Sequence, residues 1–312
     1  MRNDNIDSAS WMGQLADSIK LNEIIMPGSH DAGMSVLHHC DIGSKMNKGM
    51  VQTQELKIAD QLKVGSRYFD IRVDYDHKKL VTYHRTGNLG CNGQSLEQVM
   101  NESVAFLQEQ KTETFILKFS HIRSNRGMER EIKDRIDQFL SNINFRPYFF
   151  TSSNQEVNLV ELSLGEVRGK MILVFDYVEY ISTKQGHLRY YNALEKDDKG
   201  NFAIKLKGPN INIADAYTNT TSLKKMSEDQ INKQNDFGGL GKEYLFLLSW
   251  TLTPGAGTFF GGSIRELAGK ANRALPKALS GQKEEGNPMP NIVYVDYVNK
   301  VTAREIIQYN FR

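Results

Sequence analysis

The chain has 312 residues, a length that is long for one ordinary domain, typical of a (β/α)8 barrel and sufficient to bury a large core. Its 39 Lys and Arg residues nearly balance its 37 Asp and Glu residues, so the net charge is only +2. This balance lacks the basic surplus of a nucleic-acid-binding protein. No stretch of 18 or more apolar residues exists, so we expect no membrane-spanning helix.

The N-terminal segment, residues 1–7, is polar and lacks the apolar core of a signal peptide. Two interpretations remain open: a cytoplasmic protein, or a secreted protein whose signal has been removed. The two cysteines, Cys40 and Cys91, do not separate these interpretations. We take two free thiols as the simpler state. A disulfide stays open, because both residues follow strands that we place side by side.

Segments with helical spacing of apolar residues alternate with short apolar runs along the chain. In chain order, we predict helices at 8–22, 52–64, 95–110, 127–142, 221–235, 264–279 and 302–309. We predict strands at 24–26, 66–74, 80–85, 114–121, 170–177, 243–251 and 292–298. Residues 182–209 are polar and are interpreted as a long excursion. The alternation predicts one parallel α/β domain over residues 1–312, with a strand count that suits a barrel.

Charged side chains follow or interrupt these apolar strands. His30 and Asp31 come just after the first strand, which we expect to end in a turn at Pro27–Gly28. The alternation of the second strand places Asp70 and Arg72 on one face. The side chains at the carboxyl ends of strands in an α/β domain reach the ligand crevice, so these residues are candidates for a polar site.

Two later strands add to the same pattern. The strand at 80–85 ends near His84, and Asp296 interrupts the apolar run at 292–298. Each residue alone could be an ordinary surface or paired side chain. Buried charges are costly unless they are paired, so several such strands together favour one shared site.

At this point the chain resembles the bacterial phosphatidylinositol-specific phospholipases C, which contain the X domain. The matching pieces occur in the family's order and span nearly the whole chain: PGSHDAG (27–33), FDIR (69–72), the strand ending at His84, ILK (116–118), RGKMILV (168–174), NINIADAY (210–217) and VDYVNK (295–300). The resemblance implies an irregular, incompletely closed (β/α)8 TIM barrel. It also implies a secreted, monomeric enzyme without a cofactor, which binds phosphatidylinositol in membranes peripherally and transiently.

The resemblance also implies roles for the charged residues. His30 would be the general base that deprotonates the inositol 2-hydroxyl, and His84 the general acid for the leaving oxygen. Asp296 would orient His30, and Asp31 would orient His84.

The resemblance further implies that Arg72 binds the phosphate and that Asp70 holds Arg72 in place. In eukaryotic relatives a carboxylate at the position of Arg72 helps to hold calcium, so we expect a metal-independent reaction here.

The resemblance carries over to the head-group pocket only in part. Lys118 and Asp215 would bind inositol hydroxyls, and Tyr217 would lie against the ring face. The family's RGK strand normally ends in a basic residue, whereas this chain has Phe175 and Asp176. An ionised aspartate accepts hydrogen bonds and cannot donate them. Asp176 therefore puts in question how the inositol hydroxyls would be bound.

Two glycine-flanked aromatic residues, Phe259 and Phe260, are poor core material and suit a membrane interface. The resemblance places interfacial residues there and around Met50. Packing of both rings beneath their own loop is the alternative for this segment.

Two other functions stay open. A metal-dependent barrel phosphodiesterase, such as a glycerophosphodiesterase, would need carboxylates where Arg72 stands. A catalytically inactive inositol-lipid binding module would be expected to have lost His30 or His84, and both are present.

Overall fold

Twelve strands and eight α-helices make up the described part of the computed structural model, residues 6–123, 127–254 and 262–311. The strands are β1 Met26–Ser29, β2 Tyr68–Asp76, β3 Lys79–Thr86, β4 Leu89–Ser95, β5 Phe115–Ser120, β6 Met171–Phe175, β7 His187–Asn192, β8 Leu194–Lys196, β9 Phe202–Ile204, β10 Ile211–Asp215, β11 Leu245–Ser249 and β12 Ile292–Val295. The helices are α1 Ile42–Met46, α2 Ile58–Val64, α3 Leu96–Glu109, α4 Glu129–Leu140, α5 Leu164–Val167, α6 Leu223–Phe237, α7 Ile264–Glu284 and α8 Lys300–Ile307.

Eight parallel strands form a ring in the order β1, β12, β11, β10, β7, β6, β5 and β2. The ring closes because β2 also pairs with β1, in the register Gly28 with Tyr68 and Ser29 with Phe69. The predicted (β/α)8 barrel is therefore confirmed, and the expectation of incomplete closure is wrong. Gly28 suits this crowded position, since a Cβ atom there would lie 2.9 Å from the Ile292 side chain of β12.

The outer face of the barrel explains why polar groups reach its interior. Along β5, Phe115, Leu117 and Phe119 pack with the buried faces of α3 and α4. The alternate residues of a strand point to the opposite side, so Lys118 and Ser120 face the barrel interior near the carboxyl end of β5.

An antiparallel hairpin, β3–β4, continues the sheet from β2 outside the ring. His84 lies within β3, so it reaches the site from this hairpin and not from a ring strand. The sequence analysis missed β4, whose glycines and polar residues break the apolar pattern expected of a strand.

Several element boundaries differ from the prediction. The predicted helix at 8–22 is instead two short 3-10 helices, at Trp11–Gln14 and Leu21–Glu23. The first strand runs through Pro27 and Gly28 instead of turning there, because the Pro27 carbonyl accepts a hydrogen bond from the Arg67 N–H.

The excursion at 182–209 contains a ring strand, β7, and the small β8–β9 hairpin. The sequence HLRYYN of β7 is only half apolar, so the search for apolar runs missed it. Cys40 and Cys91 form a disulfide, which overturns the expectation of free thiols. Cys91 lies within β4 and is fully buried.

Candidate active site

Three neighbouring strands of the ring bring the catalytic candidates together. β1 ends directly before His30 and Asp31, β2 carries Asp70 and Arg72, and β12 ends directly before Asp296. The parallel register places these residues at the carboxyl ends of the strands, the side on which barrel enzymes bind their ligands.

The backbone at Asp31 adopts the left-handed region, with φ of 40°. Such a conformation is uncommon for a residue other than glycine and must be held by its surroundings. Thr53 Oγ1 donates to the Asp31 carbonyl, and Gln54 Nε2 donates to the His30 carbonyl. Residues 53 and 54 therefore hold the turn that aims both side chains into the site.

The two nitrogens of His30 face opposite kinds of charge. Nδ1 lies 2.8 Å from Asp296 Oδ1, and Nε2 lies 3.0 Å from Arg72 Nη2. A guanidinium has donors and no acceptor, so Arg72 can donate to Nε2 only when that nitrogen carries no proton. In this arrangement the proton of a neutral His30 stays on Nδ1 and is donated to Asp296.

The pKa of His30 is the sum of opposing effects. Burial lowers the pKa of the imidazole, and so does the nearby charge of Arg72. The negative charges of Asp31 and Asp296, with the hydrogen bond to Asp296, outweigh both effects and raise the pKa to about 9. The His30 ring in this site therefore binds a proton more strongly than a free imidazole in water does.

Arg72 is held by two carboxylates at once. Its Nε lies 2.5 Å from Asp31 Oδ1 and 3.0 Å from Asp70 Oδ2. Both carboxylates are buried, and their charges raise the pKa of Arg72 despite its own burial. The guanidinium is thus a fixed positive charge beside Nε2 of His30.

Asp70 is itself held by a network of hydrogen bonds. Ser120 Oγ donates to its Oδ1 at 2.7 Å, and the Tyr294 hydroxyl donates to its Oδ2 at 2.8 Å. Burial would raise the pKa of Asp70, but the Arg72 and Lys118 charges outweigh burial and lower it well below its usual range. Asp70 therefore remains ionised and can orient Arg72, as the sequence analysis expected of it.

His84 reaches the site from the β3–β4 hairpin. Its Nδ1 lies 2.9 Å from the carbonyl oxygen of Val51 and 3.7 Å from Asp31 Oδ2. The carbonyl is therefore the hydrogen-bond partner that fixes the ring, while Asp31 contributes its charge from a longer distance. Nε2 of His30 lies 3.6 Å from the same Asp31 Oδ2, so the two imidazoles flank one carboxylate oxygen.

The two histidines are partly exposed to solvent, and the carboxylates behind them are not. The side chains of His30 and His84 are 22% and 25% exposed, whereas Asp31, Asp70 and Asp296 are buried. A ligand can therefore touch both imidazoles while the carboxylates act behind them.

Lys118 and Asp215 meet inside the barrel. Lys118 Nζ lies 3.4 Å from Asp215 Oδ2 and 4.2 Å from the centre of the Tyr190 ring, and the Tyr190 hydroxyl donates to Asp215. Burial would lower the pKa of Lys118, but neighbouring groups, Asp215 and Asp176 among them, raise it. Tyr217, which was predicted to line the same pocket, is 63% exposed at the rim.

Asp176 follows β6 and is half-buried. Its Oδ2 accepts a hydrogen bond from the His121 N–H at 3.3 Å, and burial raises its pKa. Asp176 also lines a cavity of about 420 Å³ together with Arg189 of β7. Arg189 of β7 thus lies near Asp176, the position at which the resemblance implies a basic residue and this chain has none.

The predicted membrane rim is described only in part. Met50 ends the 3-10 helix Lys48–Met50 and is half-buried. Phe259 and Phe260 lie outside the described residues.

Sequence reasoning missed several groups that complete the site. Ser120 lies two positions after Lys118, and Tyr294 lies two positions before Asp296, so the two-residue period of a strand could have indicated both. Tyr190 was missed together with its strand. The Val51 carbonyl is a backbone group in an irregular segment, and side-chain identity gives no signal for it.

One group of metal-binding side chains overlaps the site. His30, Asp31 and Asp70 offer ligand atoms within 4.8 Å of one another. The Arg72 guanidinium already pairs with both carboxylates and lies against His30. A metal ion at this group would face that fixed positive charge, so the residues do not fit a cation while Arg72 is in place.

The chain is similar to known proteins in both sequence and structure. No protein-family model matches the chain. The 1-phosphatidylinositol phosphodiesterase of Listeria monocytogenes is 25% identical over 312 residues, covering 98% of this chain and 86% of that protein. PI-PLC X domain-containing protein 3 of the mouse is 25% identical over 325 residues, covering 93% of this chain and 89% of that protein.

Solved structures share the barrel. The phosphatidylinositol-specific phospholipase C of Listeria monocytogenes has a TM-score of 0.63 and 23% identity, covering 97% of this chain and 98% of that one. A structure of the Staphylococcus aureus phospholipase has a TM-score of 0.68 and 19% identity, covering 96% of this chain and 97% of that one. The similarity expected from the motifs is confirmed over nearly the whole length.

The first prediction concerns the proton on His30. Asp296→Asn should lower the pKa of His30 below about 9, because it removes a negative charge that stabilises the imidazolium. The raised pKa stabilises the fold fully below about 6.5, and this contribution is lost as the pH rises through about 9. The difference in unfolding free energy between wild type and variant should therefore shrink across this pH range.

NMR titration of the His30 ring and denaturant unfolding at several pH values measure these two effects. Asp236→Asn, at an exposed position on α6, is the control and should leave the His30 titration unchanged. An unchanged titration in Asp296→Asn would show that Asp296 does not stabilise the charged ring.

Proposed function

We propose that this chain, a homologue of the bacterial phosphatidylinositol-specific phospholipases C, cleaves phosphatidylinositol to diacylglycerol and a 1,2-cyclic inositol phosphate without a metal ion. One observation carries the proposal: His30 and His84 flank a single carboxylate oxygen, with Arg72 beside His30. A phosphodiester cleaved by general acid–base catalysis needs two proton-transfer groups and a fixed positive charge for the phosphate.

In the proposed reaction, Nε2 of His30 takes the proton of the inositol 2-hydroxyl when the ring is neutral. The raised pKa makes His30 a stronger base and means that more of it is free to act as the pH rises. The deprotonated oxygen attacks phosphorus within the same molecule, and the bond from phosphorus to the diacylglycerol oxygen breaks. His84 donates its proton to that leaving oxygen.

Support for these roles comes from the partners on Nδ1 of each ring, the Asp296 carboxylate for His30 and the Val51 carbonyl for His84. Nε2 of His84 is then left to the substrate, and Nε2 of His30 would exchange its contact with Arg72 for the substrate hydroxyl.

Arg72 would bind the non-bridging oxygens of the phosphate. Asp31 and Asp70 hold the guanidinium through Nε, and the contact between its Nη2 and His30 Nε2 points to where the phosphate would be bound. A bound phosphate would therefore lie next to the nitrogen that acts as base. The fixed charge is the reason to propose a reaction that needs no metal.

The alternatives are less well supported. A metal-dependent glycerophosphodiesterase-like reaction needs an open carboxylate site, and Arg72 pairs with both carboxylates of the candidate group. An inactive inositol-lipid binding module would not need two exposed imidazoles, each oriented by a partner on its Nδ1.

We propose that the protein acts outside the cytoplasm, on membranes that it binds transiently. The Cys40–Cys91 disulfide supports an oxidising compartment. Within the described residues, no helix is both long enough and apolar enough to span a bilayer.

The second prediction tests the two histidines. His30→Ala and His84→Ala should each lower turnover by about 10²–10⁴-fold, because each removes a positioned base or acid. A substrate with a good leaving group should partly rescue His84→Ala and not His30→Ala, since such a group needs no proton. Phosphorus NMR with phosphatidylinositol vesicles detects the cyclic product.

His38→Ala is the matched control, since His38 is exposed and is not one of the two proposed catalytic histidines. Near-full activity in His30→Ala or His84→Ala would remove that residue from the mechanism. Hydrolysis to a non-cyclic phosphate from the first turnover would contradict the intramolecular attack.

The third prediction concerns Arg72. Arg72→Lys should lower turnover by at least about tenfold, because a point charge cannot replace the two-pronged contacts of a guanidinium. Arg265→Lys is the control, at an exposed arginine that pairs with Glu55. Chelation with EDTA should leave wild-type activity unchanged, and a loss that calcium restores would contradict the metal-free reaction.

The fourth prediction concerns the head group. Asp176 and Asp215 both interact with Lys118, and a phosphate added to the inositol would face both carboxylates. We expect phosphatidylinositol to be cleaved at least about tenfold faster than its 4-phosphate, since about 1.4 kcal/mol of repulsion is enough for that ratio. Rate measurements on both lipids in matched vesicles decide this.

Asp176→Asn tests the cause of the preference. The substitution removes one negative charge and should narrow the ratio between the two lipids. Equal or faster cleavage of the 4-phosphate by the wild type would refute this interpretation of the pocket and leave the acid–base roles untouched.

A further inference from the structure

A second cluster of metal-binding side chains lies on the surface, on the loop before α1 and the β2–β3 turn. It consists of His39, Asp76 and His77, whose ligand atoms lie within 4.8 Å of one another. His39 belongs to the loop, Asp76 is the last residue of β2, and His77 lies in the β2–β3 turn. No residue of the candidate active site is part of this cluster.

The distances match those of a tetrahedral zinc ion. Asp76 Oδ2 lies 3.5 Å from His39 Nδ1 and 3.0 Å from His77 Nδ1. With bonds of about 2.0–2.1 Å, the ligand atoms around tetrahedral zinc lie roughly 3.3 Å apart. The two observed distances lie on either side of this value, so a zinc ion would need only small side-chain movements.

The ligand types also select the metal. Two imidazoles and one carboxylate suit zinc better than calcium or magnesium, which prefer oxygen ligands. The side chains of His39 and His77 are 50% and 66% exposed, so a metal ion can enter and a water molecule can take the fourth position.

The two imidazoles lie next to each other, with ring centres 3.8 Å apart at an angle of 32°. Nδ1 of each ring lies within 3.5 Å of the same Asp76 oxygen, so one ion beside Asp76 Oδ2 would contact both rings.

Surrounding groups hold the ligands in place. Asn92 Nδ2 donates to Asp76 Oδ2 at 2.7 Å, which orients the carboxylate. Arg85 Nη2 donates to the His39 carbonyl at 2.6 Å, and the disulfide at Cys40 fixes the next residue. The loop thus positions His39 without any metal.

The backbone of both histidines adopts the left-handed region, with φ of 45° at His39 and 48° at His77. His77 and Lys78 are the two central residues of the β2–β3 turn, and tight two-residue hairpin turns take positive φ at both positions. The turn therefore fixes where the His77 side chain projects, beside Asp76.

We propose that His39, Asp76 and His77 bind one Zn²⁺ ion, which ties the loop before α1 to the tip of the β2–β3 hairpin. The ion would cross-link the same loop that the Cys40–Cys91 disulfide already ties to β4. The role is structural, and the proposal does not rest on the catalytic function proposed above.

Zinc binding to the chelator-treated, disulfide-intact chain tests the proposal directly. Isothermal titration calorimetry should show one Zn²⁺ ion per wild-type chain. His39→Ala and His77→Ala should each weaken this binding at least about tenfold, since even loss of a residue that merely orients a ligand costs about 10–100-fold. Zinc should also raise the Tm of the wild type and not that of His77→Ala.

Two variants are matched controls. His38→Ala removes the exposed neighbour of His39, and His30→Ala removes the histidine of the other metal-binding group; both should bind zinc like the wild type. Undetectable binding to the wild type would overturn the proposal, as would equal affinity in His39→Ala and His38→Ala. Loss of binding in His30→Ala alone would overturn it too, by locating the ion at the active site.

Discussion

The candidate site depends on one guanidinium shared by two buried carboxylates. Arg72 Nε contacts both Asp31 and Asp70, so one cation compensates the charge of two buried carboxylates. The same guanidinium contacts His30, so its position also sets which nitrogen of the neutral ring carries no proton. Removal of this cation would leave uncompensated buried charge, which costs more than the loss of a surface pair. The ion pairs of the site are thus also part of what stabilises the barrel.

The two histidines are held by different means. A carboxylate on a neighbouring ring strand orients His30, and a backbone carbonyl in an irregular segment orients His84. The carboxylate raises the affinity of His30 for a proton. The carbonyl carries no net charge and mainly fixes the tautomer of His84. The two partners thus distinguish chemically identical side chains, since one partner carries a negative charge and the other carries none.

Much of the ring could be predicted because its strands are buried and strongly apolar. The runs at β6, β11 and β12 show this, and the charged residues that interrupt or follow such runs indicated His30, Asp70, Arg72 and Asp296. β7 could not be found this way, because its sequence is half polar. Closure of the ring and pairing of Cys40 with Cys91 depend on contacts between distant segments, which a local pattern does not contain. The Val51 carbonyl could not be predicted for the same reason.

The two sites with metal-binding side chains illustrate how surroundings decide chemistry. Both contain a histidine beside carboxylate oxygen, yet in one the Arg72 guanidinium already pairs with the carboxylates. In the other, Asp76 lies between two exposed imidazoles and accepts a hydrogen bond from Asn92. A cation added to the first group would be repelled by Arg72, whereas the ligand atoms of the second group surround one carboxylate oxygen. These surroundings are the basis of the two proposals, phosphate at the first site and a metal ion at the second.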